Sequence, residues 1–435
     1  MRLCGRDGSA AAGATAICVQ PFRCGAAGFD PAVSARGVAL GLKRQLLVSL
    51  VVQGAGAASV LLASLWLGAR LGPEVQGHFS RTKTEIEFVA ALALFGLPQA
   101  LFFHVKSGGL CVRQALRWAG GSIDLALPIG AAYLLLQQEH AQWPAAWVMG
   151  CAVAACVAHG QLRALVLVRE PTLWFNAITA LPQVLVFVAV AGVVLRVVPA
   201  TPAWAGVFAL SYGVAATLAW LRLWPGAGLR QTSQVGGRAL GQYGLAAWLT
   251  AALSAGALLW VQRWVEAAEG AIALGQFTLA MTLVLVPLVP IAYASPLLFR
   301  HWMEQPDPRA PLRWATRCLA LMLVLAGLVW ALSARWPDVG LGSAYAGTTQ
   351  ALALLLAGGA AEAATRLLTV QAGANGLPWD AVRAEALRWA VLAAGWCWPL
   401  APGLLPKCMV WALACWAAAA AMAWQTHARR VPTGP

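Results

Sequence analysis

Two short patterns in the sequence have the chemistry to hold an anion. His159 precedes Arg163 by four residues, and Glu362 precedes Arg366 by four, with Leu165 and Leu368 two places further on. A guanidinium binds phosphate oxygens through two parallel hydrogen bonds, so a pair of such arginines could grip a diphosphate. The same spacings admit other readings. Arg163 can extend its head to the lipid headgroups, as Arg169 close by would do. Glu362 and Arg366 can neutralise each other across one helical turn. Three acids could take a proton or a sodium ion: Asp124, Glu85 and Glu87. The last two stand two residues apart and do not share a helix face, so at most one of them enters a cavity, and solvation at the interface is the favoured reading of both. Gln53, Gln99, Asn176 and Gln183 could bond hydroxyl groups of a ligand or bridge helices. There is no Ser–His–Asp set, no CxxC pair, no histidine at metal-ligand spacing and no phosphate-cradling glycine loop. The sequence therefore predicts neither an enzyme nor a cofactor, with proton or sodium coupling the remaining option.

The elements that must position these groups follow from composition. Of 435 residues, 60% are apolar and 11% are charged, with a net charge of +14. Average soluble domains carry about 25% charged residues, so the solvent of this chain is mostly lipid. The bases sit at the ends of apolar runs and not on one patch, which excludes nucleic acid as a partner. A helix crosses the hydrocarbon core in about 20 residues. Twelve runs qualify: 45–69, 84–105, 118–137, 145–168, 172–195, 203–224, 243–262, 271–299, 314–333, 347–370, 386–405 and 408–425. With the amino end cytoplasmic, 17 Lys and Arg residues fall on the inner side and 7 on the outer, which predicts both termini inside. No outer loop is longer than about 15 residues on this reading, which leaves no room for a catalytic external domain.

Sliding the sequence on itself by 198 residues superposes Trp66, Gly72, Gly77, Phe79 and Pro98 on Trp264, Gly270, Gly275, Phe277 and Pro296. The offset spans six helices, an even number, so the halves enter the membrane in the same direction about an axis along its normal. The expected fold is an all-α polytopic membrane protein of two six-helix lobes around a central cavity. Residues 1–42 read as a disordered or unused extension, 43–224 as the N-lobe, 225–242 as a cytoplasmic linker, 243–426 as the C-lobe and 427–435 as a cytoplasmic tail. Under the repeat, the helices carrying Arg163 and Arg366 are equivalents, so the two guanidinium groups should face each other across the cavity.

The stretch Leu67-Gly-Ala-Arg-Leu-Gly-Pro-Glu-Val-Gln-Gly-His-Phe79, then Leu94-Phe-Gly-Leu-Pro-Gln-Ala-Leu101, resembles the opening of polysaccharide and O-antigen-type flippases. Those belong to the multidrug/oligosaccharidyl-lipid/polysaccharide exporter superfamily. Ala273-Leu-Gly-Gln-Phe-Thr-Leu-Ala280, with Ser295-Pro-Leu-Leu-Phe299, resembles the matching element of the second lobe. The resemblance implies an alternating-access flippase of the bacterial inner membrane. Its substrate would be an oligosaccharide on a polyprenyl diphosphate, destined for lipopolysaccharide or exopolysaccharide, and a polysaccharide polymerase and glycosyltransferases would be its partners. A cation-coupled multidrug exporter of the same superfamily is the alternative. Family members often carry an acid near the end of the seventh helix; here Gln262-Arg263 stands in its place, which makes Arg263 a candidate for substrate and not for a cation.

Overall fold

The computed structural model describes residues 31–106, 110–137, 143–170, 173–195, 204–224, 237–304, 309–399 and 401–429. The expected extension is outside the described residues up to residue 30, and so are most of the expected linker and the last residues of the tail. Met1–Gly41 form one unit, of which residues 31–41 are helical, and Leu42–Pro435 form a second, to which everything below refers.

The described residues are helical, with no strand. They form α1 (Pro31–Ala93), α2 (Leu97–Lys106), α3 (Val112–Gln137), α4 (Trp143–Arg169), α5 (Leu173–Val194), α6 (Trp204–Leu223), α7 (Gly237–Glu304), α8 (Ala310–Leu332), α9 (Thr348–Ala374), α10 (Trp379–Cys397) and α11 (Leu404–Ala428). Lipid offers no partner to backbone amides, and helices satisfy those groups within one segment. Nine of the described helices are long and apolar enough to cross a membrane. Two of these, within α1 and α7, are two spans long. Counted as two each, with α10 added, they give the twelve crossings of two six-helix lobes.

Both long helices break at a glycine. Gly72 has φ 87° and ψ 173°, and Gly270 has φ 85° and ψ 178°. Two residues 198 apart thus adopt one left-handed conformation, which side chains with a Cβ avoid. Pro73 follows the first break, where a helix start tolerates proline because the missing N–H would have no partner. The segment expected as an outer loop between the first two spans is therefore helical, and Arg81, Lys83, Glu85 and Glu87 project from the second arm of α1.

The lobes meet beside these breaks. A Cβ built on Gly77 would lie 3.1 Å from the amide nitrogen of Gly275, and one built on Gly275 would strike the Pro73 carbonyl. The repeat thus places its paired glycines against each other, near the axis relating the lobes. On the other side of the breaks, Trp248 donates its indole N–H to the Leu92 carbonyl at 2.8 Å. That carbonyl is free because α1 ends one residue later, and the cap comes from the opposite lobe.

One element departs from the expected boundaries. The eleventh span, expected at 386–405, is α10, which starts at Trp379 and ends at Cys397, before Pro399. Proline cannot continue a helix, and Gly403, at φ 114°, precedes the start of α11. The charged turn 380–388, read from the sequence as partly a cytoplasmic loop, is thereby drawn into the packed lobe, where Asp380, Glu385 and Arg388 are buried.

The glycine contact predicts that Gly275→Leu weakens closure between the lobes. Its thermal unfolding midpoint in detergent should fall by several degrees, whereas Gly241→Ala, with open space around it, should leave the midpoint unchanged.

Candidate functional site

Two cavities adjoin between the lobes. The smaller, about 240 Å³, is lined by Pro98, Gln99, Gly160, Arg163 and Phe175 of the N-lobe and by Ser295 and Phe299 of α7, among others. The larger, about 540 Å³, lies mainly in the C-lobe, where Tyr243, Thr250, Ser254, Glu362, Thr365, Arg366, Thr369 and Glu385 line it. Gln99, Ser295, Phe299 and Val370 belong to the walls of both. Three prolines, Pro287, Pro290 and Pro296, interrupt the backbone bonding of the α7 arm that forms this shared wall.

Arg163 and Arg366 thus line adjoining chambers, one from each lobe, but their settings differ. Arg366 donates from Nε to Glu362 Oε1 at 2.8 Å, one turn away on the same helix. The other oxygen of Glu362 accepts from Arg388, whose side chain is 1% exposed. Arg388 in turn lies 3.3 Å from Glu385 Oε2, 3.5 Å from Ser254 Oγ and 5.9 Å from the centre of the Trp411 ring. Two acids and two bases make a closed set inside the C-lobe. Arg163 has no such set. His159 occupies the place of Glu362, and no ion pair or hydrogen bond reaches Arg163 among the described residues. A charge at the bilayer centre costs about 2.5–3.5 kcal/mol on insertion scales, so an uncompensated one facing a cavity is a candidate for binding an anion.

Several other expected site residues have structural partners. His159 is buried, and its Nε2 lies 3.0 Å from the Ile178 carbonyl, joining α4 to α5. Gln53 donates to Ser49 Oγ at 2.9 Å and to Asn176, joining α1 to α5. Neither His159 nor Gln53 lines either of these two cavities, whereas Gln99 lines both. Gln183 donates to the Tyr293 hydroxyl at 3.2 Å, across the lobes. Asp124 is exposed on α3 and lines neither cavity. Glu87 is paired with Lys83 at 2.6 Å.

Glu85 and Arg263 belong to a different place, the sealed face beside the glycine breaks. Arg263 donates to Glu85 Oε1 at 3.1 Å, to the Tyr133 hydroxyl at 2.7 Å and to Gln137 at 2.8 Å. Arg81 reaches the other way, to Glu266 at 2.6 Å, while also holding Glu85 at 3.1 Å. Each lobe thus offers an acid and a base to the other, and these crossed pairs close the face. Nearby, Tyr345 donates to the buried Gln76 at 3.1 Å. Arg263 therefore bridges the lobes and lines neither of the two cavities.

Arg388 and Glu385 were not among the residues expected to act. Their signal was present: Asn375-Gly376 ends α9, Pro378 precedes a new start, and an acid and a base three apart follow on one face. The charges there had the appearance of loop residues because apolar run length alone set the boundary.

No family model matches the chain, and no curated protein does. Solved structures do. One is the outward-facing conformation of a multidrug resistance MATE family transporter of the MOP superfamily, at 12% identity and a TM-score of 0.66, covering 89% of this chain and 95% of that one. The inward-facing conformation of such a transporter aligns at 13% identity and a TM-score of 0.62, covering 90% of this chain and all of the other. A third is a MOP superfamily transporter from Pyrococcus furiosus, described as having a binding pocket of reversed polarity that suggests a different function; it shares 14% identity at a TM-score of 0.64 over 89% of this chain and 95% of its own. The fold is that of this two-lobe class.

Two outcomes follow from the geometry. Glu362→Ala leaves Arg388 buried without its main partner, which costs about 3–5 kcal/mol; thermal unfolding in detergent should register the loss, and Glu362→Leu combined with Arg388→Met should restore part of it. Removing both cross-lobe pairs with Arg81→Ala and Arg263→Ala should loosen the sealed face, so that a cysteine at position 274, where Leu274 is 1% exposed, labels faster with a maleimide than in the parent protein.

Proposed function

We propose that this protein is an alternating-access transporter, and that it moves an oligosaccharide carried on a polyprenyl diphosphate across the bacterial inner membrane with both termini cytoplasmic. The observation that carries the reading is Arg163, an uncompensated guanidinium on the wall of an inter-lobe cavity, next to a larger chamber rich in hydroxyl groups. The sealed face bears the fewer Lys and Arg residues in the sequence count, so it is the outer one, and the chambers are reached from the cytoplasmic half. A substrate headgroup enters between the lobes while its hydrocarbon tail stays in lipid. Its phosphates meet Arg163, and closure of the lobes behind it accompanies the breaking of the crossed pairs ahead of it. The two-lobe fold supports transport in general; the short connections and the lack of a catalytic set argue against an enzyme. Glycosyltransferases that assemble the head and a polymerase that consumes it are the partners this role requires.

A second reading is a cation-coupled drug exporter, favoured by the fold neighbours described as multidrug resistance transporters. Against it, Asp124, Glu85 and Glu87 are exposed or paired away from the cavities.

The test is delivery of lipid-linked oligosaccharide to the outer leaflet. Arg163→Ala should reduce it more than tenfold at equal expression, and Arg163→Lys should recover part of it, since an ammonium keeps the charge and loses the two-point geometry. Wild-type transport in Arg163→Ala would overturn the reading. Drug accumulation in the same cells should not respond to the protein; export abolished by Asp124→Asn would favour the alternative.

A further inference from the structure

The two chambers differ in what they can accept. The smaller presents one unpaired guanidinium among mostly apolar walls, with Gln99 and Ser295 as its neutral polar groups. The larger is lined by Thr250, Ser254, Thr365, Thr369, Tyr243 and Gln99, with Glu362, Glu385 and Arg366; Thr250, Thr365 and Tyr243 donate their hydroxyl protons to backbone carbonyls and keep their oxygens as acceptors. Arg366 gives its Nε to Glu362, which offsets its charge, and Arg388 is buried against the same carboxylate. A phosphate entering the larger chamber would approach two carboxylates, one of them shielded on only one side. Glu385 is 4% exposed and lines this chamber. Its Oε2 is enclosed by protein at ion-pair distance from Arg388, and its Oε1 accepts no hydrogen bond from the described residues. A carboxylate oxygen with an open lone pair is an acceptor for a hydroxyl, and the rings of Tyr243 and Phe299 add apolar surface to the same wall.

Resting on the transporter reading above, the geometry points to a divided site, in which the diphosphate binds at Arg163 alone and the C-lobe chamber receives uncharged sugar units through Glu385 and its neighbouring hydroxyl groups. Arg366 and Arg388 are positioning residues: they hold Glu362 and Glu385 as acceptors and do not bind phosphate. This departs from the symmetric clamp that the repeated His/Glu-x-x-x-Arg pattern suggests. The duplication supplied two equivalent helices, each with an arginine, and the acid that accompanies only the second arginine has given the lobes different tasks. The chamber volume, about 540 Å³, suits a small oligosaccharide and not a long polymer.

Binding to the full chain in lipid nanodiscs separates the parts, with two probes: polyprenyl diphosphate without sugar, and the same lipid bearing a neutral disaccharide. Wild type should bind the disaccharide form at least tenfold more tightly. Arg163→Gln should weaken both forms by the same factor. Glu385→Ala should weaken the disaccharide form about tenfold more than the sugar-free form, and Thr369→Val, at the periphery of the chamber and outside the charged set, should do so to a smaller extent. Arg366→Gln should act as Glu385→Ala does, and not as Arg163→Gln. If Glu385→Ala and Thr369→Val weaken both forms equally, or if Arg366→Gln matches Arg163→Gln on the sugar-free form, the divided site is wrong. If wild type binds both forms equally, the sugar subsite alone falls; if it binds neither, the transporter reading falls with it. Thermal unfolding of each variant keeps loss of binding distinct from loss of fold, and Thr369→Val serves where Glu385→Ala does not fold.

Discussion

A charge inside a bilayer has to be met by an opposite charge, by hydrogen-bonding groups or by water, and this chain obeys that constraint in the packed C-lobe cluster and departs from it at Arg163 in its N-lobe. Glu362, Arg366, Glu385 and Arg388 satisfy one another on α9 and α10. Lys407 at the start of α11 is held by Glu269 beside the α7 break, with Gly403 donating to the same carboxylate at 2.9 Å. The packing of α9 against its neighbours, the most buried of the spanning helices, is arranged around this neutral cluster. Arg163 lies outside any such arrangement, so the two adjoining cavities differ in charge.

Much of the scaffold was legible before any coordinates. The offset of 198 residues located both glycine breaks, and their matching dihedral angles are what a duplicated turn should produce. Twelve crossings were legible from run length, because lipid permits few alternatives to the helix. What escaped was whatever depends on packing. Residues 73–83 look like a loop by charge, yet they open the second arm of α1, where Arg81 and Lys83 pair with Glu85 and Glu87 one turn on and Arg81 also reaches Glu266 of the other lobe. Trp379 to Arg388 looks like a loop for the same reason. Hydropathy scores a charged turn as wet, and only the contacts of α9 with α10 show that its charges are answered within the protein.

The candidate site was legible by residue type and less so by role. The spacing of Glu362 and Arg366 left self-neutralisation open, and the structure has them bonded. The glutamines were open between substrate and scaffold; Gln53 bridges α1 and α5 with Asn176, while Gln99 faces both chambers. Periodicity cannot separate these cases, because both residues lie in apolar helices and the difference is which neighbour stands opposite.

The contact between Gly77 and Gly275 also constrains the chain's history. Backbone meets backbone there, so neither half could acquire a side chain without displacing its twin. The halves were free to diverge in their inner walls, one keeping a lone cation and the other a balanced quartet, but had to stay locked in step at this seam. A hybrid assembled from lobes of two distant relatives would inherit whatever chemistry each wall carries, yet it would shut only where both parents had kept the seam bare.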